Sequence, residues 1–206
     1  MDTYDFLLKK YNIEEPDREL RAHIYCDRRT DLPLLFKELG FKVGAEIGVL
    51  GGEYSEILCQ SNPDLILYSI DAWSFYLIHK NFRKQNDYDK LYLKAVSRLS
   101  KYPNNKIIRK WSMDAVKDFK DESLDFVWID ANHEFQYIVN DIAEWSKKVR
   151  KGGIVAGHDY GDSKRSQFCH VKTVVDTWAT ARGIKPLFIL EAPTLRREVS
   201  WMWVKE

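Results

Sequence analysis

Cysteine is scarce in this chain: Cys26, Cys59 and Cys169 stand far apart, and no CxxC pair occurs. A set so sparse and odd excludes a disulfide framework and a cysteine-built zinc site, and it fits a reducing compartment. Charge of one sign is lacking as well. Lys and Arg number 32 against 31 Asp and Glu, a net charge of +1, so no global field draws the chain to nucleic acid or to an anionic membrane. No run approaches the roughly eighteen apolar residues of a membrane span. The opening MDTYDFLLKKYNIEEPDREL has no basic stretch leading into an apolar one, so no signal peptide is expected. Repeats, low-complexity tracts and Gly/Ser linkers are missing too. What is present is 45% hydrophobic and 14% aromatic residues, enough apolar surface to build a core. A soluble, cytoplasmic, globular protein with one main domain is expected.

The first forty residues read as an amphipathic helical extension (1–40) packed on the core. Phe6, Leu7 and Leu8 form one apolar cluster, and Thr30 or Asp31 caps a helix running to Gly40. From residue 41 to 206 the pattern is that of the ligand-binding domain. Short apolar runs at 43–49, 65–70, 106–109, 124–129, 154–157, 187–190 and 199–204 alternate with helix-compatible stretches at 53–59, 114–119, 134–149 and 171–181. Tyr137, Ile138, Ile142 and Trp145 share a face of the 134–149 helix, and Lys151-Gly152-Gly153 reads as a turn. Such alternation predicts an α/β fold, a Rossmann-like doubly wound sheet of about seven mostly parallel strands with helices on both faces and an antiparallel C-terminal edge strand. Right-handed crossovers place the carboxyl ends of parallel strands on one edge, where open α/β sheets bind ligands. The polar residues that stop the runs are therefore the candidates: Glu46 to Gly48, Asp71, Asp130 and His158-Asp159.

Residues 44–52, GAEIGVLGG, sit where a strand should turn into a helix. Glycine permits close backbone approach and dihedrals that other residues resist. The spacing fails the GxGxxG dinucleotide pattern. It offers instead an acid at Glu46, two residues before Gly48, which suits a cationic ammonium; the alternative is a turn that serves packing only. Asp71 ends the next run 23 positions after Gly48. An acid so placed accepts hydrogen bonds from ribose hydroxyls, or else caps the following turn. Taken together, these features point to an adenosine-containing ligand without a diphosphate.

With these residues the chain resembles class I S-adenosylmethionine-dependent methyltransferases. The resemblance rests on AEIGVLGGEYS (45–55), YSIDAW (68–73), WSMDA (111–115), LDFVWIDANHEFQYIVNDIAEW (124–145), KGGIVAGHDYGD (151–162), VKTVVDTW (171–178) and the closing SWMWVKE. It covers about residues 30 to 206 and is closest to the small-molecule O-methyltransferase branch of sugar- and macrolide-modifying enzymes. The resemblance implies S-adenosyl-L-methionine as cofactor. Glu46 and Gly48 would contact its methionine end, Gly52 would let the first helix approach it, and Asp71 would bind the ribose. Ser112 and Met113 would flank the adenine. Asp114 would bind the exocyclic amine or cap a helix, and Trp73 would pack in the core or near the ribose. Asp130 would adjoin the cofactor and the acceptor.

Asp130 and Asp159 end successive strands, and two carboxylates side by side repel, share a proton or bind a cation. The resemblance implies a divalent cation, Mg or Mn, held by Asp130 and by the pair His158-Asp159. The branch has an acidic pair at 158 and 159, and the imidazole of His158 suits manganese, zinc or iron better than magnesium. The metal-free alternative leaves His158 and Asp159 structural. His133, three residues after Asp130, occupies the position of a general base that would take the proton of the acceptor hydroxyl, or else makes a structural hydrogen bond. His23, His79 and His170 are read as surface or core residues. Trp73, Phe75, Tyr76, Phe82, Tyr88, Tyr160, Asp162, Lys164, Arg165 and Phe168 border the expected cleft as a lid, as packing or as a homo-oligomer interface. Arg196-Arg197 and Lys147-Lys148 read as solvated surface. The function expected is O-methylation of a small-molecule hydroxyl, sugar or phenolic, without membrane or nucleic-acid partners. A methyltransferase acting on a protein or nucleic acid, and a non-catalytic module that binds the cofactor without turnover, are the alternatives.

Overall fold

The computed structural model describes residues 1–13, 21–75, 84–161, 169–192 and 199–206. Along the chain these form α1 (Thr3–Lys10), β1 (Arg21–Tyr25), α2 (Asp31–Glu38), β2 (Val43–Ile47), α3 (Glu53–Ser61), β3 (Ile66–Asp71), α4 (Gln85–Leu99), β4 (Asn105–Arg109), α5 (Ser112–Ala115) with a 3-10 turn at Val116–Asp118, β5 (Leu124–Ile129), α6 (Phe135–Lys148), β6 (Val149–Gly157), α7 (Val171–Arg182), β7 (Leu187–Glu191) and β8 (Ser200–Val204).

The strands make one eight-stranded sheet in the order β1-β7-β8-β6-β5-β2-β3-β4. Every neighbouring pair is parallel except those made by β8, which runs antiparallel to β6 and β7. The α/β doubly wound expectation holds, with two corrections. The eighth strand is β1, inside the segment read as helical. It pairs with β7 from Arg21↔Leu187 to Tyr25↔Glu191, yet it buries only Ile24, so it shows no apolar run. The antiparallel strand is not at an edge: β8 is inserted between β7 and β6, and the edges are β1 and β4. Ser200–Met202 and Trp203 are all buried, as a strand covered on both faces requires.

Side-chain alternation of period two divides the core between the faces. Val127 and Ile129, Leu187 and Ile189, and Trp201 and Trp203 join Ile138, Ile142 and Trp145 of α6 on one face. Phe126 and Trp128, Phe188 and Leu190, and Met202 join Leu32, Leu35 and Phe36 of α2 on the other. Tyr137 is not part of the buried face of α6; it is exposed and lines the cleft. Lys151-Gly152-Gly153 lies within β6 and not in a free turn, at a register shift opposite Leu124 and Phe126.

Candidate active site

Four parallel strands stop together, and backbone hydrogen bonds fasten the residues just beyond them. The Gly48 amide donates to the Ile70 carbonyl at 2.9 Å, Asp130 to Ile47 at 2.8 Å and His158 to Ile129 at 3.2 Å. Gly48 has φ +94°, and a Cβ there would lie 2.2 Å from the Asp130 carbonyl oxygen. That position must be glycine for β2 and β5 to approach. At this edge opens a cleft of about 920 Å³, whose walls include Glu46, Gly48, Asp71, Ser112, Met113, Asp130 and His133.

Glu46 is buried in the floor. Its carboxylate accepts the Ser55 hydroxyl, Ser55 lies 2.7 Å from the Ser69 hydroxyl, and Asn105 Nδ2 donates to Ser69 at 2.8 Å. Burial, reinforced by the charges of Asp130 and Asp71 and opposed by the Ser55 bond and Arg28, pushes the carboxyl up to about 8. A buried acid of this kind favours a cation that can neutralise it.

Asp71 organises the loop after β2. One carboxylate oxygen accepts the Val49 and Leu50 amides at 2.9 and 3.0 Å, and the other accepts the Trp73 amide at 2.8 Å. A carboxylate offers about four acceptor positions, so Asp71, which lines the cleft, keeps acceptor capacity beyond these three bonds. Leu50 and Trp73 carry φ of +49° and +42°. Trp73 is fully buried, donates Nε1–H to the Leu50 carbonyl at 2.8 Å and packs on Tyr92. It belongs to the core. Gly52, φ +78°, looks onto Leu99 and Ala95 of α4, so its missing side chain serves helix packing and not the cleft wall.

At the opposite wall Ser112 donates to the Asp141 carboxylate and accepts Trp145 Nε1–H at 2.8 Å. Burial lifts the Asp141 carboxyl to about 7 against the Ser112 bond. Sequence reasoning missed Asp141, which reads as one more polar position on an amphipathic helix. Asp114, read from the sequence as an amine ligand or a helix cap, is exposed, pairs with Lys117 at 2.8 Å and stands outside the cleft.

Asp130, His133 and Asp159 bring their ligand atoms within 4.8 Å of one another. His133 Nε2 lies 3.4 Å from Asp130 and 3.3 Å from Asp159. His158 Nδ1 approaches the same carboxylates, 3.4 Å from Asp159 and 3.9 Å from Asp130, and its Nε2 is buried. Burial opposes charge on His133, but the two carboxylates outweigh it and hold the imidazole above its usual pKa. Asp159 is held below the usual carboxylate range, since the neighbouring histidines outweigh its burial. Asp159 takes φ +57°, a strained dihedral that aims it at the cluster. Two carboxylates and an imidazole form a donor set for manganese, iron or zinc.

The sequence profile of the methyltransferase domain matches residues 45–160, more than half of the chain. The chain belongs to the methyltransferase-domain family. The methyltransferase segment runs from β2 to the residues beyond β6 and holds every strand-end residue described above, whereas β1 and α2 precede it. An uncharacterized protein of Acanthamoeba polyphaga mimivirus is 25% identical over 121 residues, 59% of this chain and 52% of that protein. The chain thus spans about half the length of this curated relative. Among solved structures, cofactor-bound Rv0187 from MTB superposes with TM-score 0.65 at 14% identity, over 99% of this chain and 90% of that one. An O-methyltransferase from Bacillus cereus in complex with SAH gives 0.62 at 16%, over 98% and 90%. The O-methyltransferase TomG from Streptomyces achromogenes, in complex with SAM, gives 0.61 at 18%, over 85% and 78%. These likenesses show the methyltransferase fold.

Cleft residues missed in the sequence include Arg28 and Arg29 of the β1–α2 loop, and Tyr54. His23 pairs with Glu191 at the surface, and His170 accepts the Phe135 amide at 3.2 Å. Tyr76, His79, Phe82, Asp162, Lys164, Arg165, Phe168, Arg196 and Arg197 lie outside the described residues. No described helix is long and apolar enough to cross a membrane.

Proposed function

We propose that this protein transfers the methyl group of S-adenosyl-L-methionine to a hydroxyl oxygen of a small molecule of the sugar or phenol class, assisted by a divalent cation. The observation that carries this reading is the cluster of His133, Asp130 and Asp159 at the same strand edge as the buried carboxyl of Glu46. S-adenosyl-L-methionine supplies an electrophilic methyl on a sulfonium, together with an ammonium, a ribose and an adenine. The cleft suits such a group: its volume is that of a nucleoside-sized ligand site, and Glu46 is a buried acid that a cation stabilises. Asp71 retains acceptor capacity for ribose hydroxyls, Asp141 presents a buried carboxyl to an amine, and Gly48 keeps the floor bare. A cation on Asp130, Asp159 and His158 would lower the pKa of the acceptor hydroxyl and fix its position.

The chain's own part is alignment and proton transfer. Asp130 and Asp159 orient His133 by accepting from its Nε2–H, and the other nitrogen of the neutral ring, Nδ1, takes the hydroxyl proton while that oxygen attacks the methyl carbon in line. The C–O bond forms as the C–S bond breaks, and the electron pair leaves with sulfur as neutral S-adenosylhomocysteine. Holding the two reactants in line supplies much of the acceleration.

The test is S-adenosylhomocysteine production with a panel of sugar and phenolic acceptors. His133→Ala should lower kcat about 10²–10⁴-fold while the affinity for S-adenosyl-L-methionine stays within about twofold. Undiminished turnover in the variant would remove His133 from the chemistry.

A further inference from the structure

His133 stands on the short segment between β5 and α6, and that segment must be held if the ring is to keep its place. Its near end is fastened to the sheet by the Asp130 amide, which donates to the Ile47 carbonyl at 2.8 Å. Asn132 Oδ1 accepts the Glu134 amide at 2.9 Å, a turn within the segment itself. The far end is the start of α6, where the first amides have no partner inside the helix. Glu134 is the N-cap of α6, yet its side chain makes no capping bond. The acceptor comes from another helix: His170 Nδ1 accepts the Phe135 amide at 3.2 Å. His170 is itself the N-cap of α7 and makes no side-chain cap bond to its own helix. Its main chain reaches the same segment, the His170 amide donating to the His133 carbonyl at 2.8 Å. The preceding residue touches the other loop of the cluster, with Cys169 Sγ 3.8 Å from the Asp159 carbonyl oxygen. One corner at the head of α7 thus meets both loops that supply His133 and Asp159.

The corner has a firm base. Ile138 and Ile142 of α6 share a buried cluster with Val171, Val174 and Val175 of α7, so the His170 bonds join two helices that are already packed together. His133 Nε2 lies 3.4 and 3.3 Å from its two carboxylates, at the long end of the hydrogen-bonding range, where a small displacement loses the bond. A reacting group misplaced by about 1 Å can cost about 100-fold in rate. The Phe135 bond needs Nδ1 without a proton, which leaves the proton of the neutral His170 ring on Nε2. We propose that His170 is a positioning residue for the methyl transfer: by capping α6 from the head of α7 and gripping the His133 carbonyl, it holds the His133 imidazole against Asp130 and Asp159. The role of His133 as base rests on the methyl-transfer reading, whereas the hold on its ring stands on these bonds.

The experiment is NMR relaxation at the His133 ring of the full chain, free and with S-adenosylhomocysteine, in the parent and in His170→Ala, His170→Gln and His170→Asn. Asn places its amide oxygen near the position of Nδ1 and can accept the Phe135 amide. Gln reaches instead toward the position of Nε2, and Ala has no acceptor. The ring order parameter should be about 0.85 in the parent and in His170→Asn, and below about 0.6 in His170→Ala and His170→Gln. All variants should melt within about 4 °C of the parent, the span of one lost cap, which separates a loosened ring from a lost fold. Should the Ala variant fail to fold, Asn against Gln gives the same comparison between two polar side chains. On an acceptor turned over by the parent, His170→Ala should lower kcat about 10- to 100-fold with KM for S-adenosyl-L-methionine within about twofold, and His170→Asn should restore most of the rate. A His133 ring as ordered in His170→Ala as in the parent, a ring loosened as much by Asn as by Ala, or an undiminished kcat in His170→Ala would overturn the proposal. Failure of S-adenosylhomocysteine to bind would instead count against the methyl-transfer reading, while relaxation in the free protein would still decide the hold on His133.

Discussion

At the scale of single residues, the site is governed by what burial does to carboxyl groups. Glu46 accepts the Ser55 hydroxyl in the floor, and burial, reinforced by the charges of Asp130 and Asp71, lifts it to about 8. Its pKa in the unfolded chain is near 4.3. The native state therefore keeps a proton that the unfolded chain releases, and the stability this contributes is present below the unfolded value and lost as pH rises to about 8. Without ligand, chemical denaturation should show stability falling between about pH 5 and pH 8, and Glu46→Gln should flatten that slope. An equal slope in the variant would show that Glu46 ionises as freely in the fold as outside it. A cationic ligand favours the charged carboxylate, so in the complex the fall should shrink. Asp141, raised to about 7 by its own burial, adds to the same slope from the opposite wall.

At the scale of elements, the strand ends do the positioning, and three non-glycine residues there adopt left-handed dihedrals: Leu50, Trp73 and Asp159. Each costs about 1 kcal/mol or more, offset by Asp71 on the Leu50 amide and by Trp73 on the Leu50 carbonyl. Gly48 is the tightest point. Gly48→Ala should destabilise the fold by about 2 kcal/mol or more, since both its φ and the Asp130 carbonyl at 2.2 Å oppose a Cβ. Urea denaturation measures this, and a loss below about 0.5 kcal/mol would mean that β2 and β5 are not held as described. Asp71, Asp130 and His158-Asp159 were legible because apolar runs end abruptly at them. β1 was not, because an edge strand that buries one side chain has no run to read. Nor was the insertion of β8, since strand order is a long-range property that local pattern does not carry. Asp141 and Arg28 escaped for a similar reason: only tertiary packing shows that a polar helix position and a loop arginine face one cleft.

At the scale of the whole molecule, the sheet unites the N-terminal forty residues with the matched segment. β1 pairs with β7, and Arg21 reaches Asp176 of α7 at 2.6 Å. Asp176 also accepts the Tyr160 hydroxyl and Lys172 at 2.8 Å, tying the first strand to the segment that follows Asp159. The helical extension expected over 1–40, packed on the core, thus also contributes a strand, β1, and its β1–α2 loop places Arg28 and Arg29 in the cleft wall. The cleft has one buried acid in its floor and a histidine–carboxylate cluster beside it, and the central claim is that an adenosyl sulfonium occupies it. Isothermal titration with S-adenosyl-L-methionine, with NAD as control and repeated with manganese and magnesium, tests this most directly. The account predicts saturable binding of the sulfonium cofactor and none of NAD, weakened by Asp71→Ala and altered by manganese through Asp130 and Asp159. Folded protein that binds neither ligand under any of these conditions would contradict it.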